Sequence, residues 1–219
     1  MDDKYIRQQE LVNQEKLAGL NVTIVGCGAV GSFTALSLAK MGVGQLTLID
    51  DDKVSVENLP NQFYRDCDLG KKKVDACSDL IRQFDRQISM ITLARPFIKQ
   101  KLEANVVIAA VDSMEVRKKI WTAVNNQRSV QLLIDPRMAA KVIQVLGDPS
   151  SSKKYEQTLV DDSATLDERC TAKSIIYSVL PLAGLICRQV ASFINDEWLE
   201  PAVTLDLKTL SLLREGINV

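Results

Sequence analysis

The sequence predicts an α/β fold: a mainly parallel sheet flanked by helices, with an antiparallel C-terminal extension. Three observations carry that reading. Short apolar runs alternate with helical patterns from residue 21 to Asp135. The first apolar run ends in the glycine-rich stretch Gly26-Cys27-Gly28-Ala29-Val30-Gly31. Beyond Asp135 the alternation stops and hairpin-like runs take over. With 219 residues, the chain suits one domain over 1–219 with a full hydrophobic core.

The elements follow in order. Residues 4–18 are amphipathic with helical spacing and stop near Gly19. Asn21 to Val25 is a short apolar run ending in glycine, hence a buried strand. Residues 29–41 form a helix that Gly42 and Gly44 terminate, and Gln45 to Ile49 is the second strand. A polar loop runs from Asp50 to Gly70; a loop of that length inside a domain usually carries function. Helix 71–86, a strand at Ile88 to Leu93, a buried strand at Asn105 to Val111, helix 113–126 and strand 130–135 complete the alternation. Lys141 to Leu146 has strand character, and the polar, serine-rich segment at about 148–171 reads as a crossing loop. Residues 172–195 have helical spacing at Ile175, Val179, Leu182, Ile186 and Val190, but Pro181 should kink or break that helix. Residues 202–207 and 210–214 fit a hairpin turning at Lys208-Thr209.

Composition narrows the chemistry. The net charge of −1 gives no general attraction to nucleic acid or to an anionic membrane. The most apolar stretch, Ile175 to Cys187, is too short to span a bilayer, and the polar start Met1-Asp2-Asp3-Lys4 is not a secretory signal. A cytoplasmic location is the expectation. The five cysteines form no C-x-x-C pair, which argues against a disulfide framework or a structural zinc site. There is no histidine, so Ser-His and Cys-His triads and His-ligated metals are excluded. Any reaction here runs without imidazole.

Gly26, Gly28 and Gly31 form a G-x-G-x-x-G between a strand and a helix, the context in which that motif holds a phosphate chain in a Rossmann-like fold. Asp50 ends the next strand, about 20 residues on, where a carboxylate can accept from ribose hydroxyls. These features suit NAD and ATP alike.

The segment that follows separates the two. It reads Asp50-Asp51-Asp52-Lys53-Val54, then Glu57-Asn58-Leu59-Pro60-Asn61-Gln62, and later Gly70-Lys71-Lys72-Lys73. This resembles the signature of the ThiF/MoeB/ubiquitin-activating family, D-x-D-x-V-x-x-x-N-L-x-R-Q followed by G-x-x-K. Lys4-Tyr5-Ile6-Arg7-Gln8 is similar to the family's R-Y-x-R-Q, and Asp112-Ser113 to its D-x-x-D-N. The resemblance covers roughly residues 4–195.

It implies an adenylyltransferase that uses ATP and Mg²⁺ on the C-terminal carboxylate of a small ubiquitin-like or sulfur-carrier protein. That carboxylate is already ionised at neutral pH and needs no general base, in keeping with the missing histidine. By motif match Asp50 would hold the ribose, Asp52 would belong to the same cofactor site, and Asn58 and Gln62 would line the phosphate site. Lys73 would contact the phosphates, and Asp112 would bind Mg²⁺. Arg7 would act as an arginine finger across a homodimer interface. Cys170, in Arg169-Cys170-Thr171, would take the activated protein as a thioester before a downstream conjugating enzyme. Arg137, after the strand ending at Asp135, would pair with the activated carboxylate or a phosphate.

Plainer roles remain open at this stage. Lys73 also suits a solvated helix start, Asp112 a helix cap, Asn58 a loop turn, Arg7 and Arg137 a solvated surface, and Cys170 a free thiol. Asn61 stands where the family has a phosphate-neutralising arginine, so that role would pass to Arg65 or Arg117. Two other readings share the fold: a non-catalytic scaffold or dimer partner, and an NAD-dependent oxidoreductase.

Overall fold

The computed structural model describes residues 3–139, 141–148, 153–159 and 174–215. Its strands are β1 (Asn21–Val25), β2 (Gln45–Ile49), β3 (Ser89–Leu93), β4 (Val106–Ala109), β5 (Leu132–Ala139), β6 (Val142–Asp148), β7 (Ala202–Asp206) and β8 (Ser211–Glu215). They join in one sheet of order β3-β2-β1-β4-β5-β6-β7-β8. β3 through β5 pair in parallel, and β5 through β8 pair antiparallel. The helices are α1 (Gln14–Ala18), α2 (Ala29–Met41), α3 (Lys73–Phe84), α4 (Met114–Asn125), α5 (Lys153–Glu156) and α6 (Ile176–Ile194).

Successive strand side chains point to opposite faces, which splits the core in two. Val106 and Ile108 join α2, α3 and α6 on one face, whereas Val107 and Ala109 join Ile120, Trp121 and Val124 of α4 on the other. The switch from a period of two to a period of 3.6 is what made these elements legible in the sequence.

Four expectations change. The N-terminal segment is not one helix: a short 3-10 helix, Asp3–Gln8, is separated from α1. Asn13 ends the gap by accepting the backbone N–H of Lys16, and Asn195 clasps it by accepting from Asn13 and donating to the Leu11 carbonyl. The stretch after Asp50 is not a free loop. Lys53 bridges to Lys72, and short 3-10 turns form at Val56–Asn58 and Asp66–Asp68. The buried Asp68 carboxylate ties that segment together, accepting from Arg65 and Lys71.

Helix α6 continues through Pro181. The proline lacks one backbone donor, but the apolar face of α6 packs on α2, β5 and β6, which outweighs one lost hydrogen bond. With 19 residues, α6 is long and apolar enough by length and composition to cross a membrane, unlike the shorter stretch read from sequence; half of it is buried inside the fold.

Strand β5 runs four residues past Asp135 and includes Pro136. Its parallel pairing with β4 ends at Ile134, whereas the antiparallel ladder with β6 continues through Pro136, which stands opposite Val145.

Candidate active site

The parallel strands β2, β1, β4 and β5 deliver their C-terminal ends to one cavity of about 1300 Å³. Crevices at that end of an open α/β sheet are where ligands bind. Gly26 turns the chain out of β1 with φ +91°, and a Cβ there would sit 2.2 Å from the Ala110 carbonyl oxygen. A Cβ at Gly31 would sit 1.9 Å from the Gly26 carbonyl oxygen, so α2 can start this close to the turn only with glycine. Gly28 faces open space, and α2 has no side-chain cap and no acidic residue in its first turn. The uncapped helix start is left available to an anion.

Asp50 closes β2 beside this turn. Its carboxylate accepts the backbone N–H of Cys27 at 2.6 Å and that of Asp52 at 2.8 Å. Burial raises its pKa above the usual carboxylate value, against those two hydrogen bonds. The carboxylates of Asp50, Asp51 and Asp52 gather within 4.8 Å of one another. Lys73, buried at the start of α3, donates to Asp52 at 2.7 Å and lines the cavity. Of its neighbours, Lys71 pairs with Asp68 and Lys72 with the Asp51 carbonyl. Tyr64 supports the site from below, donating to the Cys27 and Lys73 carbonyls; burial pushes its pKa far up.

Asn58, Asn61, Gln62 and Asp112 also line the cavity. Asn58 has the turn role as well, because its Oδ1 accepts from the Ser55 backbone N–H and hydroxyl. Asn61 donates to the backbone and hydroxyl oxygens of Ser174. Gln62 has a buried Oε1 with no protein partner. The open glycine turn, Asp50, Lys73 and this orphaned amide fit a nucleotide, and the hard oxygen donors of Asp112 and Asp50–Asp52 fit Mg²⁺.

The expected substitute arginines part ways. Arg65 is bound to Asp68 and Gln83, away from this cavity. Arg117 lines the cavity, but its Nε donates to Asp135 at 2.8 Å and its Nη2 to the Pro136 carbonyl. Arg137 lines it too, and is not a solvated surface residue: it holds the other oxygen of Asp135. Asp135 is fully buried, and the sequence reading passed over it as the end of a strand. An acid closing an apolar run, two residues before an arginine, was the available signal. Arg7 is exposed on the N-terminal 3-10 helix, outside the residues that line the cavity. Cys170 lies outside the described residues. Cys27 and Cys77 are buried, and burial raises both thiols, that of Cys77 to about 12.

The model of the ThiF family matches residues 4–216. The chain belongs to the ThiF family. Among its curated relatives, ubiquitin-like modifier-activating enzyme 5 of Xenopus laevis is 30% identical over 130 residues, 52% of this chain and 33% of that protein. Molybdopterin-synthase adenylyltransferase of Haemophilus influenzae is 30% identical over 129 residues, 56% of this chain and 53% of that protein. This ThiF-family chain thus spans about a third to a half of the length of these relatives. In three dimensions it superposes on E. coli MccB crystallised with ATP, with a TM-score of 0.81 and 18% identity over 99% of this chain and 72% of that one. For selenomethionine PaaA the TM-score is 0.78 at 24% identity, over 98% of this chain and 69% of that one. Both likenesses bear on the fold.

Proposed function

We propose that this protein adenylates a carboxylate with ATP, and that the carboxylate is the C-terminus of a small ubiquitin-like or sulfur-carrier protein. The observation that supports this most is the meeting of an open glycine turn, Asp50 and buried Lys73 around one cavity in a ThiF-family chain. The names of the adenylyltransferase and modifier-activating relatives agree with it.

In this reading a carboxylate oxygen bonds to the α-phosphorus as the bond to the pyrophosphate oxygen breaks, and pyrophosphate leaves with the electron pair. No proton moves. The protein's task is to place the reactants and to balance charge. Asp50 accepts from the ribose, the first turn of α2 and Lys73 receive the phosphates, and Gln62 lines their path. Asp112, with Asp52 close to the ribose end, would hold Mg²⁺, which would screen the triphosphate charge. Arg7 would reach a second copy of the chain in a homodimer. Cys170 would take the acyl group as a thioester, for delivery to a conjugating enzyme. A cytoplasmic setting suits the free thiols.

ATP–pyrophosphate exchange, with and without candidate carrier proteins, tests the reaction. Exchange that depends on a carrier supports it. Tight NAD binding without exchange overturns it in favour of an oxidoreductase, and ATP binding without exchange across carriers favours a scaffold. For the cysteine step, a reducible adduct that persists in Cys170→Ala would remove Cys170 from the scheme.

A further inference from the structure

We propose that Arg137 holds the acyl end of the substrate: the carboxylate before the reaction, and the acyl carbonyl oxygen of the adenylate after it. This assignment rests on the adenylation reading above.

The first argument is charge. Asp135 is fully buried and sits between two guanidinium groups. Arg117 Nε lies 2.8 Å from its Oδ1, and Arg137 reaches its Oδ2 through Nε at 2.9 Å and Nη2 at 2.8 Å. Tyr155 also donates to this carboxylate, at 3.1 Å. Among the described residues, one negative charge therefore faces two positive ones, and both arginines border the cavity. A cation withdrawn from water with an incomplete partner favours an incoming anion or a strong acceptor.

The second argument is place. Sheet order puts Asp50 at the end of β2, the glycine turn at the end of β1, Asp112 after β4 and Arg137 on β5. With strands about 4.8 Å apart, β5 lies two spacings, about 10 Å, beyond the glycine turn on the side away from the ribose acid. A group joined to the α-phosphate opposite the ribose extends in that direction. The other end of the cavity carries Asp50, Asp51, Asp52 and Glu57, which repel a carboxylate. Past Arg137 the cavity continues along Met138, Val142, Gln144 and Thr204, giving the chain behind the carboxylate a floor of antiparallel sheet.

The third argument is rigidity. Arg137 Nη1 donates to the Thr158 carbonyl at 3.1 Å and Nη2 to the Thr158 hydroxyl at 2.9 Å. Held between Asp135 and Thr158, the guanidinium needs little reorganisation on binding, which is how fixed donors contribute to catalysis. Its role is electrostatic, and it exchanges no proton.

The test compares three nucleotides on wild type, Arg137→Gln and Arg137→Lys: ATP, 5′-sulfamoyladenosine, and its N-acetylglycyl derivative, a stable mimic of an acyl-adenylate. Arg137→Gln should weaken the acylated mimic by about tenfold or more and leave the other two within about twofold, with partial recovery in Arg137→Lys. Equal losses for ATP and the acylated mimic would move Arg137 to the phosphates and overturn the assignment. No change for any nucleotide would make the residue structural and overturn it as well. If Arg137→Gln does not fold, Asp135→Asn/Arg137→Gln removes both charges and is read the same way. Wild type that binds no nucleotide would instead overturn the adenylation reading itself.

Discussion

Lys73 Nζ lies 2.7 Å from Asp52 Oδ2, with the lysine buried and the aspartate largely exposed at the cavity edge. The pair parks a cation beside the glycine turn at a distance that a phosphate oxygen can take over. Lys73→Met should therefore leave the fold intact while lowering carrier-dependent exchange by about 10²–10³, the usual cost of one preorganised donor. Circular dichroism and exchange rates on the same preparation check this. An unchanged exchange rate would return Lys73 to a structural role.

Gly26, Gly28 and Gly31 should respond differently to alanine. At Gly26 and Gly31 the new methyl would meet backbone oxygen, at 2.2 and 1.9 Å. Each substitution should cost about 1–3 kcal/mol or more, as overpacking does. Gly28 faces open space, so Gly28→Ala should keep the melting temperature and lose ATP affinity, because its methyl enters the cavity that the turn lines. Thermal melts with and without ATP separate the two behaviours.

Asp50 should impose a pH dependence on nucleotide binding. Burial raises its pKa, and accepting from ribose hydroxyls requires the ionised form. ATP affinity should therefore fall as pH drops through a range that starts above the ordinary aspartate value of about 4. The sign for folding is the reverse. A carboxylate with a raised folded pKa contributes stability below its ordinary value, and that contribution is lost as pH rises through the folded value. Asp50→Asn should bind ATP more weakly at neutral pH and flatten the acid limb, as titration calorimetry at several pH values would show.

Asp68 should matter for stability and not for the reaction. Hydrogen bonds from Arg65, then from Lys71 and the Arg65 backbone, hold its pKa below the carboxylate range in spite of desolvation. Its contribution is thus present above about pH 4 and is lost as pH falls through the lower folded value. Arg65 and Lys71 are each 43% exposed at the side chain, so Asp68→Asn should cost about 2 kcal/mol at neutral pH, less than a fully buried pair would. The difference in urea midpoint between wild type and variant should start to shrink below about pH 4 and vanish once pH has fallen below the lowered folded-state value. A gap that persists there would mean that packing, and not charge, holds the segment.

The strands and most helices could be read directly from the chain, because burying one face of a strand or helix leaves a period of two or 3.6 in the residues themselves. The same holds for Gly26 and Gly31 of the glycine turn, where a positive φ at the first and close backbone approach at both leave no room for a side chain. By itself, then, the sequence determined the mainly parallel pairing of the first half, the antiparallel end and the glycine turn, and the family resemblance of its motifs singled out the acids and Lys73 that line the same cavity. Tertiary structure decided the rest. Packing on α2 carries α6 through Pro181, Asn195 holds a break in the N-terminal segment, and Asp68 closes the segment after Asp50. It also decided which arginine serves the cavity. Arg65 lies three residues after Gln62 and yet faces away, while Arg117 and Arg137 come from α4 and β5 to share Asp135. Arg137 shares β5 with Asp135, but the Arg117–Asp135 pair links residues 18 apart in the chain on different elements, and both of its partners are buried. No local periodicity records that pair, so the part of Arg117 in the hub at Asp135 became visible only once the fold had brought α4 against β5.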